Sequence, residues 1–191
     1  MRRLPFFVPC IIAGFAISLG AAPSSFVPAV PKTFLLRGAI HSTDPNRSPN
    51  GSFEIAAEPP TRFIQSELRS YVERETGKVI QETKAFGFDG KRTIYQPTIP
   101  EYQQLHPELV PATADQERAI RSAAEAALRR IQVPLMSTDA TPPDSVGAIR
   151  YSDYRIIDGV RVPFRIESSG EVWIVTDAQV NVALSPKLFR R

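Results

Sequence analysis

The chain has 191 residues, of which 42% are hydrophobic and 23% are charged, and these values exclude an intrinsically disordered protein. Proline accounts for 18 residues. Because a proline inside a helix breaks it, this number also excludes a bundle of long helices.

The first 22 residues have the pattern of a secretory signal. Arg2 and Arg3 precede an uncharged apolar stretch, which ends in the small residues Ala21 and Ala22. We therefore expect residues 1–22 to be a cleavable signal peptide that exports the protein. The alternative is an uncleaved membrane anchor, since the apolar stretch is just long enough to span a bilayer.

Charge and cysteine content exclude two classes of function. Cys10 is the only cysteine and lies inside the predicted signal, so the mature chain has no thiol for catalysis, metal binding or a disulfide. Removal of Arg2 and Arg3 leaves 21 basic and 20 acidic residues. This near-neutral balance gives no electrostatic basis for binding nucleic acid.

A proline-rich leader at 23–33 precedes the predicted folded domain, 34–189. In its first half, alternating apolar and polar residues or turn signals predict strands at 34–40, 52–57, 79–88 and 91–96.

Segment 61–74 gives conflicting signals. Its apolar residues, among them Phe63, Leu68 and Val72, recur at a spacing that favours a helix. Thr76-Gly77, by contrast, resembles a hairpin turn.

The main helix is predicted at 114–131. Thr113 and Gln116 have the spacing of a capping box, and Pro134 is expected to end the helix. An apolar stripe indicates the face that packs on the rest of the domain, and it contains Ile120, Ala124, Ala127, Leu128 and Ile131.

The region 144–185 is predicted to be a series of antiparallel strands. Asp158-Gly159 is a two-residue hairpin signal between 149–157 and an alternating strand from Val160 to Ile166. Pro163 indicates an edge strand or a bulge, because proline cannot donate to a ladder. In the last strand, the alternation predicts that Val172, Ile174, Thr176, Ala178 and Val180 share one face.

No recognised catalytic motif is present, and we predict no catalytic residues, no metal site, no cofactor and no enzymatic activity. His41 and His106, the two histidines, are expected in proline-rich loops away from acids. Asp153 and Arg155 lie two residues apart in a predicted strand and are expected on one face with Tyr151, as a surface ion pair or a ligand contact. Trp173 is expected either at the rim of a ligand site or beneath a loop.

Three stretches of the chain resemble periplasmic proteins of the LolA/LolB-like superfamily of lipoprotein carriers. They are Gly51-Ser52-Phe53-Glu54-Ile55 with Pro60-Thr61-Arg62-Phe63, then Gly87-Phe88-Asp89-Gly90, and the longest run from Tyr151 to Ile166. A closing strand through Val180-Asn181-Val182, followed by Phe189, is similar too.

The resemblance implies an α+β fold, in which a strongly curved antiparallel sheet, an incomplete β-barrel, packs on one main helix. It also implies that 61–74 is a strand. Carriers of this superfamily hold the acyl chains of lipoproteins on the concave face of the sheet. The chain departs from them in its proline-rich leader, which stands where they have a helix, and in its short link at 132–146.

Two functions follow as expectations. The first is a non-catalytic periplasmic carrier or chaperone of lipoproteins or other apolar ligands, with an envelope scaffold or interaction module that binds a protein partner as the alternative. The ligand-facing residues predicted for a carrier are apolar positions of the sheet, namely Phe53, Ile55, Val162, Phe164, Ile166, Val172 and Ile174. Alternatively, these side chains form an ordinary core against the helix.

Overall fold

A computed structural model of the chain describes residues 31–43, 50–72, 75–96, 109–135 and 143–189. The predicted signal peptide at 1–22, most of the leader at 23–33 and His106 lie outside these ranges. No helix within them combines the length and hydropathy needed to cross a membrane.

The described residues form an antiparallel sheet of ten strands and one long helix, α1, Ala114–Leu135. The strands in chain order are β1 Phe34–Ser42, β2 Gly51–Glu58, β3 Arg62–Val72, β4 Val79–Phe88, β5 Thr93–Gln96, β6 Val110–Pro111, β7 Ser145–Val146, β8 Ile149–Ile157, β9 Val160–Ser168 and β10 Glu171–Val180. Their order across the sheet is β6-β5-β4-β3-β2-β1-β10-β9-β8-β7, so the sheet is not closed. The predicted α+β class with an open, curved sheet is confirmed.

The sheet accounts for three features that the sequence left open or predicted differently. The described part of segment 61–74 is the strand β3, which pairs with β2 and β4 over nearly its whole length. His41 lies within β1 rather than in a loop, paired with Val172. Pro163 lies in the internal strand β9. The ladder between β9 and β10 ends at Arg165, so the backbone of Pro163 does not need an N–H to pair with β10.

The predicted turns are present. Asp158 and Gly159 both have positive φ, 46° and 79°, as a two-residue turn between β8 and β9 requires. Asp89 begins the turn between β4 and β5, where its Oδ1 accepts hydrogen bonds from the backbone N–H groups of Lys91 and Arg92. Burial alone would raise the pKa of Asp89, but these hydrogen bonds outweigh it and the pKa is lowered.

α1 begins as predicted but continues past its expected end. Gln116 Oε1 accepts from the backbone N–H of Thr113, which is one half of a capping box, and the Thr113 hydroxyl donates to the same oxygen instead of accepting from the Gln116 N–H. Pro134 lies inside the last turn, which corrects the predicted end at 131. A proline has no N–H for the carbonyl four residues earlier, Arg130 O, and the Tyr151 hydroxyl donates to that oxygen at 2.7 Å instead.

The concave face of the sheet packs on α1 and forms the larger core. Ala124, Leu128 and Ile131 are the buried positions of the predicted helical stripe. Opposite them lie side chains from seven strands, including Phe34, Phe53, Phe63, Phe88, Val162, Phe164, Trp173 and Val180. A second cluster on the convex face is covered by the C-terminal segment, and it contains Leu35, Ala56, Ile64, Ile94, Leu184 and Phe189.

A β-bulge reverses the faces of β10. Arg37 pairs with Asp177 and the next residue, Gly38, pairs with Val175, so that Thr176 is the extra residue. A side chain at Gly38 is excluded, because a Cβ there would lie 2.0 Å from the carbonyl oxygen of Ile174.

The prediction that residues 172–180 keep one alternation is therefore wrong. Trp173 and Val175 share the concave face with Ala178 and Val180, while Val172 and Ile174 face the convex side.

Candidate functional site

Most of the residues predicted to face a ligand are packed in the core. Phe53, Ile55, Val162, Phe164 and Ile166 are all at most 5% exposed and belong to the cluster beneath α1. Val172 and Ile174 are only partly buried and lie on the opposite face. The structure thus brings five of the seven together, and α1 with its neighbours occupies the space that a ligand would need there.

Trp173 is buried in the concave core, so neither the expected rim position nor the expected position beneath a loop describes it. Its ring lies 4.8 Å from that of Phe53 between centroids, and its Nε1 donates to Glu171 at 3.0 Å. It therefore contributes to the core and to a polar cluster beside it, rather than to a rim.

A polar cluster occupies one end of the concave face. It consists of Gln65, Glu67, Arg69, Glu171 and Trp173, and is called here the Arg69 cluster. The Arg69 guanidinium donates to Glu67 Oε2 at 2.7 Å and to Glu171 Oε1 at 2.7 Å, and Gln65 Nε2 donates to Glu67 Oε1. Burial opposes the charge of Arg69, but the bonds to Glu171 and Glu67 outweigh it and raise its pKa.

The contacts within the Arg69 cluster also show that the sheet is curved. β3, which carries Arg69, and β10, which carries Glu171, are separated by β2 and β1. At about 4.8 Å per strand, a flat sheet would hold them about 14 Å apart. A direct contact between the two side chains follows from the concave curl of this face, and Gly51, with no side chain, lies between them on β2.

An apolar groove of about 250 Å³ lies between α1 and strands β4 and β5. Phe86 and Tyr95 are cross-strand partners on the sheet side, and Ile120 and Ala123 form the helix side. Lys84, Ala85 and Gln96 complete the lining. Among the described residues, the groove is a part of the sheet–helix gap that side chains do not fill.

Tyr95 is held in place at one side of this groove. Its hydroxyl donates to Gln116 Oε1 at 3.1 Å, the same oxygen that caps α1. The helix cap and the groove wall therefore share one amide, which fixes the aromatic ring against the N-terminal half of α1.

A second depression, of about 280 Å³, lies at the turn between β9 and β10. Its lining is polar and apolar in about equal parts, and its carboxylate Glu167 bonds to Arg165 and Arg150. The hydrogen bond from Arg165, with the charge of Arg150, lowers the pKa of Glu167. The carboxylate and the two guanidinium groups pair with each other, so this depression is a surface of ion pairs and not an apolar site.

Asp153 and Arg155 form an exposed ion pair at 2.8 Å. Tyr151 is buried and does not share their surroundings, because Asp153 has φ of 52° and interrupts the regular strand. Arg155 also lies 4.0 Å over the ring of Phe164. The Asp153–Arg155 ion pair thus covers the edge of the core, which is a structural role.

The position and lining of the groove were not predicted from the sequence, apart from Ile120, which belongs to the predicted inner stripe of the helix. Phe86 and Tyr95 lie on strands that were predicted, but nothing local indicates that α1 leaves them uncovered. No family model matches the chain, and no curated protein matches it.

Proposed function

We propose that the protein is an exported, non-catalytic carrier or chaperone that binds the apolar chain of a lipoprotein or lipid in the periplasm. The observation that supports it is the groove between α1 and β4–β5, with Phe86, Tyr95, Ile120 and Ala123 on its walls. Burial of each methylene group of a ligand there contributes about 0.8 kcal/mol.

The arrangement of the groove is consistent with the resemblance to LolA/LolB-like proteins, in which a curved sheet surrounds a helix and holds acyl chains. The proposal differs from the sequence-based expectation in its site. The five concave residues from Phe53 to Ile166 belong to the core, and the proposed ligand contacts lie instead on β4, β5 and α1.

Native mass spectrometry of the protein purified from its own envelope tests the proposal. We expect a bound lipid on the wild-type protein and its loss in Ala123→Trp, whose indole fills the groove. Ala123 is exposed, so this variant should fold with an unchanged melting temperature.

Ser122→Trp is the matched control, because Ser122 is also exposed but does not line the groove. It should keep the lipid. A bare mass for the wild-type protein, repeated across preparations, would overturn the proposal.

The alternative is an envelope scaffold or interaction module. It is favoured by the dense packing of the predicted ligand residues and by exposed apolar side chains on the convex face of the β3–β4 hairpin, Leu68, Val72 and Val79. In that case a protein cross-linked to the wild type should be lost in Leu68→Lys and retained in Ala123→Trp. The opposite pattern would contradict it.

A further inference from the structure

We propose that one end of the sheet binds an anionic membrane surface. The surface consists of the exposed cations Lys32, Lys91, Arg92 and Lys187, and is called here the basic end. The proposal goes beyond the proposed function, because it concerns a different surface from the groove and does not depend on a ligand bound there.

The antiparallel register brings several chain segments to this end of the sheet. One row of cross-strand partners there runs through Val180, Phe34, Ala57, Phe63, Phe88 and Thr93. Lys32 comes just before this row on the way into β1, and Lys91 and Arg92 lie in the turn that joins its members on β4 and β5. These three residues therefore lie beyond the same end of the sheet.

Lys187 joins this end through the C-terminal segment. The short 3₁₀ helix that contains it packs on β3. The guanidinium of Arg62, the first residue of β3, lies 4.8 Å from the centre of the Phe189 ring in that helix. The side chain of Arg62 also borders the β4–β5 turn, because a Cβ at Gly90 would lie 3.5 Å from its Cγ. Arg62 thus connects the segment of Lys187 with the turn that carries Lys91.

The three lysines of the basic end have no carboxylate partner among the described residues. No carboxylate oxygen of the described ranges lies within 4.0 Å of their ammonium groups. In the neighbouring turns, Glu58 is bonded to Arg62, and Asp89 accepts from two backbone N–H groups of its own turn. Asp158, in the β8–β9 turn, lies on the far side of β10. An anionic surface at this end would therefore meet cations that the protein itself does not neutralise.

The chain that precedes the basic end favours a membrane as the partner. Residues 1–30 lead into this end, and they contain the apolar stretch predicted to be a signal or an anchor. An extended chain spans at most about 3.6 Å per residue, so residues 23–32 would hold the basic end within about 36 Å of a membrane containing that stretch. Each lysine near an anionic lipid surface strengthens binding about fivefold.

Vesicle co-sedimentation at about 0.1 M NaCl tests the proposal with the protein purified from its own envelope, because charges more than about 10 Å apart are largely screened there. The probes are vesicles of phosphatidylcholine alone and vesicles of phosphatidylcholine and phosphatidylglycerol in equal parts. We expect tighter binding to the anionic vesicles, and we expect the difference to disappear at about 1 M NaCl. Lys91→Gln and Lys187→Gln should each weaken binding to the anionic vesicles about fivefold. Both side chains are exposed, so the melting temperatures should not change.

Lys78→Gln is the matched control, because Lys78 is also exposed but lies at the opposite end of β4, about 33 Å from Phe88. It should leave binding unchanged, and so should Ala123→Trp, which fills the groove. The lipid detected by native mass spectrometry is a separate readout, so either proposal can fail alone.

Three results would overturn the proposal. The first is equal binding of the wild-type protein to the two kinds of vesicle. The second is an equal loss of binding in Lys78→Gln and Lys91→Gln, since net charge would then be the cause. The third is binding to soluble polyglutamate without binding to the anionic vesicles, which would indicate an acidic protein as the partner.

Discussion

Replacement of Arg69 with methionine removes the cation from the Arg69 cluster and leaves Glu67 and Glu171 facing the same buried space. Arg69 is 8% exposed and Glu67 is 9% exposed. Removal of one partner of a buried ion pair costs about 3–5 kcal/mol, since the remaining charge has no counter-charge. Gln65 and Trp173 still donate to the two carboxylates, so we expect about 3 kcal/mol at pH 7.

Thermal unfolding of the two proteins measures this loss. In a domain of this size, about 3 kcal/mol corresponds to a fall in melting temperature of roughly 6–12 °C.

Arg129→Met is the control, since Arg129 is 74% exposed and lies 3.9 Å from Glu125. It should change stability by less than about 0.5 kcal/mol. A melting temperature of Arg69→Met within about 2 °C of wild type would refute the reasoning that loss of the buried cation is destabilising.

Three further predictions concern the helix end, an alkaline transition and the two faces of the sheet. Tyr151→Phe should lower the free energy of unfolding, measured in urea, by about 1–3 kcal/mol, because the Arg130 carbonyl in α1 loses its hydrogen-bond donor. An unchanged free energy of unfolding would show that water replaces the hydroxyl. Burial, with the charges of Tyr151 and Asp144, raises the pKa of Tyr154 to about 12. The stabilisation by the raised pKa of Tyr154 is therefore complete below pH ~10 and is lost as the pH rises to about 12. Across this range, the free energy of unfolding in urea should decline less steeply for Tyr154→Phe than for the wild-type protein. Parallel curves for the two proteins would contradict this. Phe164→Ala should cost about 3–5 kcal/mol and Ile174→Ala less than about 1, whereas equal losses would place both side chains in the core.

The comparison of β10 with α1 shows where local pattern succeeds and where it fails. In α1, the apolar stripe of Ala124, Leu128 and Ile131 is recovered as the buried face, because a regular helix repeats the same geometry at every turn. In β10, alternation assigns Val172 and Ile174 to the wrong face. The bulge at Thr176 depends on the pairing of β10 with Arg37 and Gly38, which are far away in sequence.

The Arg69 cluster and the groove have the same origin in long-range geometry. Arg69 and Glu171 are 102 residues apart and meet only because the sheet curls. Lys84, Tyr95 and Ile120 likewise come from three elements whose spacing is set by how α1 lies across β4 and β5.

The amino-acid order by itself determined most of the longer strands, though not β3, and it determined the turn at Asp158-Gly159 and the start of α1, since these depend on neighbours within a few residues. Tertiary structure alone decided which side of β10 is inside, how α1 continues through Pro134 with a hydroxyl from Tyr151, and where the groove remains open. The physical reason is that each of these features depends on which distant backbone groups and side chains come into contact. A periodic pattern in the sequence does not specify those contacts.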